Sequence, residues 1–257
     1  MIFVGERINT GFKDIKQAVV DRDPAPLQAW AKKQTAAGAR YLDVNLGAVS
    51  SKPEDMCWMI ETVQKAVDTA ICIDTNKPGI LAEAIRACRP GALINSTTAA
   101  EEKLDAMMPV AVEHGASIIG LVMDESGTPT DADKRVENAA KIIMKATELG
   151  LPTDRIFLDP IVMPLKYKQE QAREILSATS QFALIADPAP HAICGLSNIS
   201  NGTTHKRLIN RIFLAMAVAH GMDAAICDVT DTALVNAALT AELVMNREIY
   251  ADSYVRK

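Results

Sequence analysis

Short apolar runs that end in an acid or an amide recur down this chain, separated by longer amphipathic stretches. That alternation restricts the fold more than any other feature. YLDVN closes on Asp43 and Asn45, ICIDTN on Asp74 and Asn76, ALINS on Asn95, RIFLDP on Asp159, CGLSN on Asn198 and AAICD on Asp228. Brief aliphatic runs bounded in this way read as strands buried on both faces, the pattern of a parallel sheet. A polar group at the end of such a strand contributes nothing to an apolar core. Parallel strands that close into a barrel bring these ends to one rim, where carboxylates and amides form a ready site.

The segmentation follows from the pattern. Strands are expected at 2–9, 41–46, 70–75, 92–96, 116–123, 156–160, 193–198 and 223–229. Helices are expected at about 25–37, from Ser51, at 78–88, from Thr98 to His114, and at 131–149, 169–180, 205–220 and 231–245. Ser51 with Glu54 and Thr98 with Glu101 have the spacing of capping boxes, and Asn76 precedes a helical proline. Eight strand–helix pairs joined by right-handed crossovers predict a parallel sheet. In 257 residues they favour a single TIM (β/α)8 barrel. A doubly wound sheet is the alternative, but no GxGxxG follows the first strand. With no linker or repeat, one domain over 1–257 is expected.

Composition removes other classes. A net charge of -5 gives no basic face for nucleic acid. No apolar run approaches the ~18 residues of a membrane span, and the stretch before Glu6 is too short for a signal peptide, so a cytoplasmic protein is expected. Five cysteines without a CxxC pair read as small buried residues in a reducing compartment. His114 and His220 each precede a glycine at a helix end, where a cation suits the helix dipole.

Ser51, Thr98 and Asn76 can be spent as helix caps. Asp43, Asp74 and Asn95 sit earlier, still in the strands; Asp159 precedes a proline, and Asn198 lies within SNISNGTTH. Carboxylates gathered on a rim need partners. Two answers fit: a hard cation, or a flat ligand with adjacent N–H donors, such as an aminopyrimidinone ring, which a carboxylate takes in pairs. Asn95 and Asn198 can both donate and accept, which suits the remaining ring nitrogens and carbonyl.

Read in order, GERIN (5–9), LDVN (42–45), IDTN (73–76), INST (94–97), LDP (158–160), DPAP (187–190), GLSNIS (195–200) and LINR (208–211) resemble the pterin-binding methyltransferases. The chain resembles in particular the methyltetrahydrofolate:corrinoid/iron–sulfur protein methyltransferase type, and relatives in anaerobic O-demethylase, methylamine and betaine systems. The resemblance covers nearly the whole chain. It implies a TIM barrel, a homodimer, and methyl transfer between N5 of methyltetrahydrofolate and the cobalt of a corrinoid on another protein. It implies that Asp74, Asn95 and Asp159 hold the pterin, that Asp43 and Gly195 line the pocket, that Asn198 meets N5, and that no metal is resident. The family's basic residue for the folate tail is represented here by Lys206 or Arg207, within His205-Lys206-Arg207.

By the same resemblance this chain is one component. Corrinoid domains ligate cobalt through D-x-H-x-x-G, a pattern that Val112-Glu-His114-Gly115 does not meet. A separate corrinoid protein must therefore dock transiently over the barrel mouth. No strong general acid is evident beside Asn198; a water network or Asp43 is the candidate proton source. The rivals are a dihydropteroate synthase-like enzyme, against which GERIN argues, a non-catalytic folate-binding subunit, and an aldolase or phosphate-binding barrel. The last needs a Gly-rich anion loop, for which Gly202 alone is weak support.

Overall fold

The computed structural model describes residues 1–255. Eight parallel strands form one sheet in the order β7-β6-β5-β4-β3-β2-β1-β8. They are β1 (Ile2–Asn9), β2 (Tyr41–Asn45), β3 (Ala70–Asp74), β4 (Leu93–Thr98), β5 (Ser117–Leu121), β6 (Ile156–Asp159), β7 (His191–Ala192) and β8 (Ala224–Cys227). The sheet closes on itself. Asp223 N–H donates to the Ala192 carbonyl and Ile226 N–H to that of Cys194, and Gly195 pairs in parallel with Ile226. The fold is thus the expected TIM barrel.

The helices, in chain order, are α1 (Lys13–Asp21), α2 (Ala25–Ala36), α3 (Pro53–Gln64), α4 (Pro78–Ala87), α5 (Glu101–Glu113), α6 (Ala132–Glu148), α7 (Leu165–Lys168), α8 (Gln171–Phe182), α9 (Lys206–Ala219) and α10 (Thr232–Val244). Two of these, α1 and the single turn α7, lie outside the strand–helix count. The first has its own signal: Ile15, Ala18 and Val19 are buried at i, i+3 and i+4. Among the described residues no helix is long and apolar enough to cross a membrane.

Strand period decides what faces inward. Val4, Tyr41, Cys72, Leu93, Ile119, Phe157, Ile193 and Ala224, one from each strand or its extension, pack together as a plug inside the barrel. Their neighbours point outward to the helices: Leu42, Ile71, Ile73, Ile94, Ile118 and Leu158 join a core with Leu81, Met107 and Ile142. The interior is therefore filled, and nothing can pass through it.

Three expected caps are not formed. Lys52, Lys77 and Ala100 occupy the N-cap positions of α3, α4 and α5, without side-chain caps. Ser51 instead accepts from the Lys77 ammonium, and Thr98 accepts from Ala100 N–H within its own turn. In each case the connection carries the chain one or two residues further before the helix begins, so the side-chain oxygen is out of reach of the third helical N–H. Asp131 does cap α6, accepting from Lys134 N–H at 2.8 Å. His114 and His220 stand at the C-caps of α5 and α9.

The seventh strand also begins earlier than expected. Pairing covers 191–195, and Leu196–Ser200 forms a 3-10 turn. Leu196 and Ile199 are both buried, three residues apart, which matches the three-residue turn. Ser197 and Asn198 are left on the opposite side, facing the mouth.

Candidate active site

Two residues beyond each member of the plug lies the next inward position. Counting from Val4, Tyr41, Cys72, Leu93, Ile119, Phe157, Ile193 and Ala224 gives Glu6, Asp43, Asp74, Asn95, Leu121, Asp159, Gly195 and Ile226. Every one of these lines a single cavity of about 590 Å³ at the C-terminal end of the strands. Asn45, Ser96, Ser197 and Asn198 are among the polar residues that extend its wall. The volume suits a bicyclic ring with part of a tail.

The structure thus brings Asp43, Asp74, Asn95, Asp159, Gly195 and Asn198 to one cavity. Lys206 and Arg207 are not on its wall; they are exposed at the start of α9. Lys77 lines the cavity instead. Asn76, expected as a cap, also faces it.

The carboxyls are held in distinct ways. Asp43 is buried and accepts from the Asn95 amide at 3.1 Å. Burial and the neighbouring Asp74 charge push its pKa well above the ordinary carboxylate value. Asp74 accepts from the Asn45 amide; burial raises it to about 6, and that bond pulls it back. Asp159 is buried and rises to about 6 for the same reason, opposed by bonds from Ile161 N–H at 2.7 Å and Gly195 N–H. Ile161 adopts φ +65, unfavourable for a β-branched residue, and in that conformation its N–H is turned to Asp159. At Gly195 an added Cβ meets the Asn198 amide nitrogen at 3.1 Å, so the absence of a side chain leaves that amide its place.

Glu6 also lines the cavity, although it does not close an apolar run. Its carboxyl oxygens each lie 2.9 Å from the Ser197 hydroxyl, which donates to them. Burial lifts its pKa to about 7. Alternation along IFVGERIN is the signal that finds it: with Ile2 and Val4 inward, position 6 is the next inward residue. Among the described residues no group of three or more His, Cys, Asp or Glu side chains is arranged to hold a metal ion. The cavity instead presents ionisable acceptors beside amides, a set suited to a planar ligand with N–H donors.

The family model described as "Pterin binding enzyme" matches residues 5–228. The methylcorrinoid:tetrahydrofolate methyltransferase of Eubacterium limosum is 30% identical over 259 residues, covering 99% of this chain and 94% of that protein. This chain belongs to the pterin-binding methyltransferase family. The methionine synthase of Mycobacterium tuberculosis is 27% identical over 88% of the chain, which spans only 20% of that larger enzyme. Among solved structures, a 7,8-dihydropteroate synthase from Vibrio fischeri superposes with a TM-score of 0.72 at 13% identity, covering 97% of this chain and 95% of that one. A Yersinia pestis dihydropteroate synthase carrying a pterine–sulfa conjugate gives 0.67 at 15%, covering 96% and 94%. These two establish the shared barrel; the sequence relatives establish the family.

Proposed function

We propose that this protein moves a methyl group between N5 of tetrahydrofolate and the cobalt of a corrinoid carried by a separate protein. One observation carries the reading: the inward positions just above the barrel plug converge, with Asn198, on a single cavity of acids and amides. Similarity to the methylcorrinoid:tetrahydrofolate methyltransferase of Eubacterium limosum supports it.

In this reading Asp74, Asn95 and Asp159 receive the pterin edge. Ionised carboxylates taking adjacent N–H groups form short, charge-assisted bonds, and burial strengthens them. Asp43, whose proton burial holds more tightly than an ordinary carboxyl's, accepts from the Asn95 amide and so fixes which way that amide faces. Gly195 leaves room for Asn198. We assign the folate tail to the cavity-wall cation Lys77 in preference to Lys206 or Arg207.

Methyl transfer from nitrogen is hard because an amine leaves poorly. The nucleophile is cobalt(I) of the corrinoid, which approaches the exposed mouth in line with the N5–methyl bond. Asn198 forms a hydrogen bond to N5 that tightens as charge changes there, and only such differential bonding lowers the barrier. The acids and Asn95 contribute by holding the methyl in line. The corrinoid protein docks over the mouth, the cobalt's one approach to a plugged barrel, and leaves after each transfer because it also visits other partners.

The test is visible absorbance of cobalt. The purified chain, methyltetrahydrofolate and cob(I)alamin are expected to yield methylcobalt, and methylcobalamin with tetrahydrofolate the reverse. Tight folate binding with no methylcobalt in either direction leaves the non-catalytic folate subunit as the reading.

A further inference from the structure

Loss of a methyl cation from N5 consumes one proton, and the residues assigned to the pterin are engaged elsewhere. Asp43 is occupied with Asn95, while Asp74 and Asp159 face the ring edge. Glu6 remains. It stands on β1, on the wall of the same cavity, and the Ser197 hydroxyl lies 2.9 Å from both its oxygens. Ser197 is the residue before Asn198 in the 3-10 turn, so Glu6 and the N5-facing amide are fastened to one short segment.

We propose that Glu6 is the acid–base residue of the methyl transfer, with Ser197 holding its carboxyl against the turn that carries Asn198. This rests on the reading given under Proposed function. Toward cobalt, the cobalt(I) electron pair forms the C–Co bond and the N5–C bond breaks with its pair going to N5. The proton of the Glu6 carboxyl ends on N5, leaving a carboxylate that solvent reprotonates. In reverse, the N5–H proton passes to the Glu6 carboxylate as N5 attacks the methyl and cobalt(I) departs.

The surroundings suit a group that cycles near neutrality. Burial lifts Glu6 to about 7; the Ser197 bond opposes this, Asp228 raises it further and Arg7 lowers it. The other groups facing it are Asp43 from β2 and Cys227 from β8, both with pKa values raised by burial. The Arg7 guanidinium is turned outward to Asp14, at 2.8 Å, so it does not neutralise Glu6 at contact.

The test is single-turnover methyl transfer from methyltetrahydrofolate to free cob(I)alamin, from about pH 5.5 to about pH 8.5, with folate affinity measured alongside. Glu6→Gln keeps the shape and an acceptor for Ser197. It is expected to lower the rate about 100-fold at neutral pH, to leave folate Kd within about twofold, and to abolish the inflection near pH 7. Ser197→Ala retains the acid but removes its donor, so the inflection is expected to move to higher pH. A Glu6→Gln profile that superimposes on the parent, or an unmoved inflection in Ser197→Ala, overturns the proposal while leaving methyl transfer intact. A parent enzyme that makes no methylcobalt sinks both readings.

Discussion

Asp74 and Asp159 show how one side chain's setting fixes a measurable property. Both are held near pKa 6 by burial. A ligand that donates N–H groups to them requires the ionised form, so folate Kd is expected to rise as pH falls through 6, by about tenfold per pH unit for each group titrated. Calorimetry in buffers of different ionisation enthalpy checks the accompanying proton release. Substitutions separate the roles further. Asp159→Ala removes a charge-assisted acceptor and is expected to weaken folate binding by about 10–100-fold. Asn198→Ala should lower single-turnover rate by about 100-fold or more with little change in Kd. Equal, small effects from both substitutions remove the assignment of binding to one and bond-making to the other.

At the scale of elements, the connections decide more than the strands do. Two features that look alike in sequence, Ser51 before α3 and Asp131 before α6, act differently: only Asp131 reaches a helical N–H. Asp131→Ala is expected to cost about 1 kcal/mol in urea unfolding, while Ser51→Ala stays within about 0.5 kcal/mol. The strands were legible because β-branched runs of the right length have few alternatives once both faces are buried. The seventh was misplaced because Leu196 and Ile199 belong to a 3-10 turn, and a five-residue apolar pattern does not distinguish period two from period three. The same limit hid the place of Ser197. Lys77 escaped notice because its approach to the cavity depends on how the β3–α4 connection turns, which no local spacing encodes.

Across the whole molecule, the cavity opposes the stability of the barrel that carries it. Glu6 rises from 4.5 to about 7, and Asp74 and Asp159 from 3.8 to about 6. The folded chain therefore holds these protons more tightly than the unfolded chain, and their contribution to stability declines as pH climbs from about 4 to about 7. Asp74→Asn is expected to stabilise the ligand-free protein by about 1–2 kcal/mol at pH 7.5, to have no such effect near pH 4, and to weaken folate binding; thermal unfolding at the two pH values decides it. Fold and site were readable together because one alternation specifies both. The residue that plugs the barrel and the residue two places on that lines the cavity are set by the same strand, which is why Asp43, Asp74, Asn95 and Asp159, four of the cavity's acids and amides, could be picked out from their positions at run ends. Glu6 was not, because GERIN continues past it without a break.

The joint between β7 and β8 has a consequence for traffic at the mouth. The ladder there is short, running from the Asp223–Ala192 bond to the Gly195–Ile226 bridge, and the 3-10 turn that carries Asn198 follows it in the chain. If a corrinoid protein docks as proposed, its macrocycle meets the rim beside this short ladder, while Asp43 and Asp74 stand on the longer β1–β2–β3 pairings.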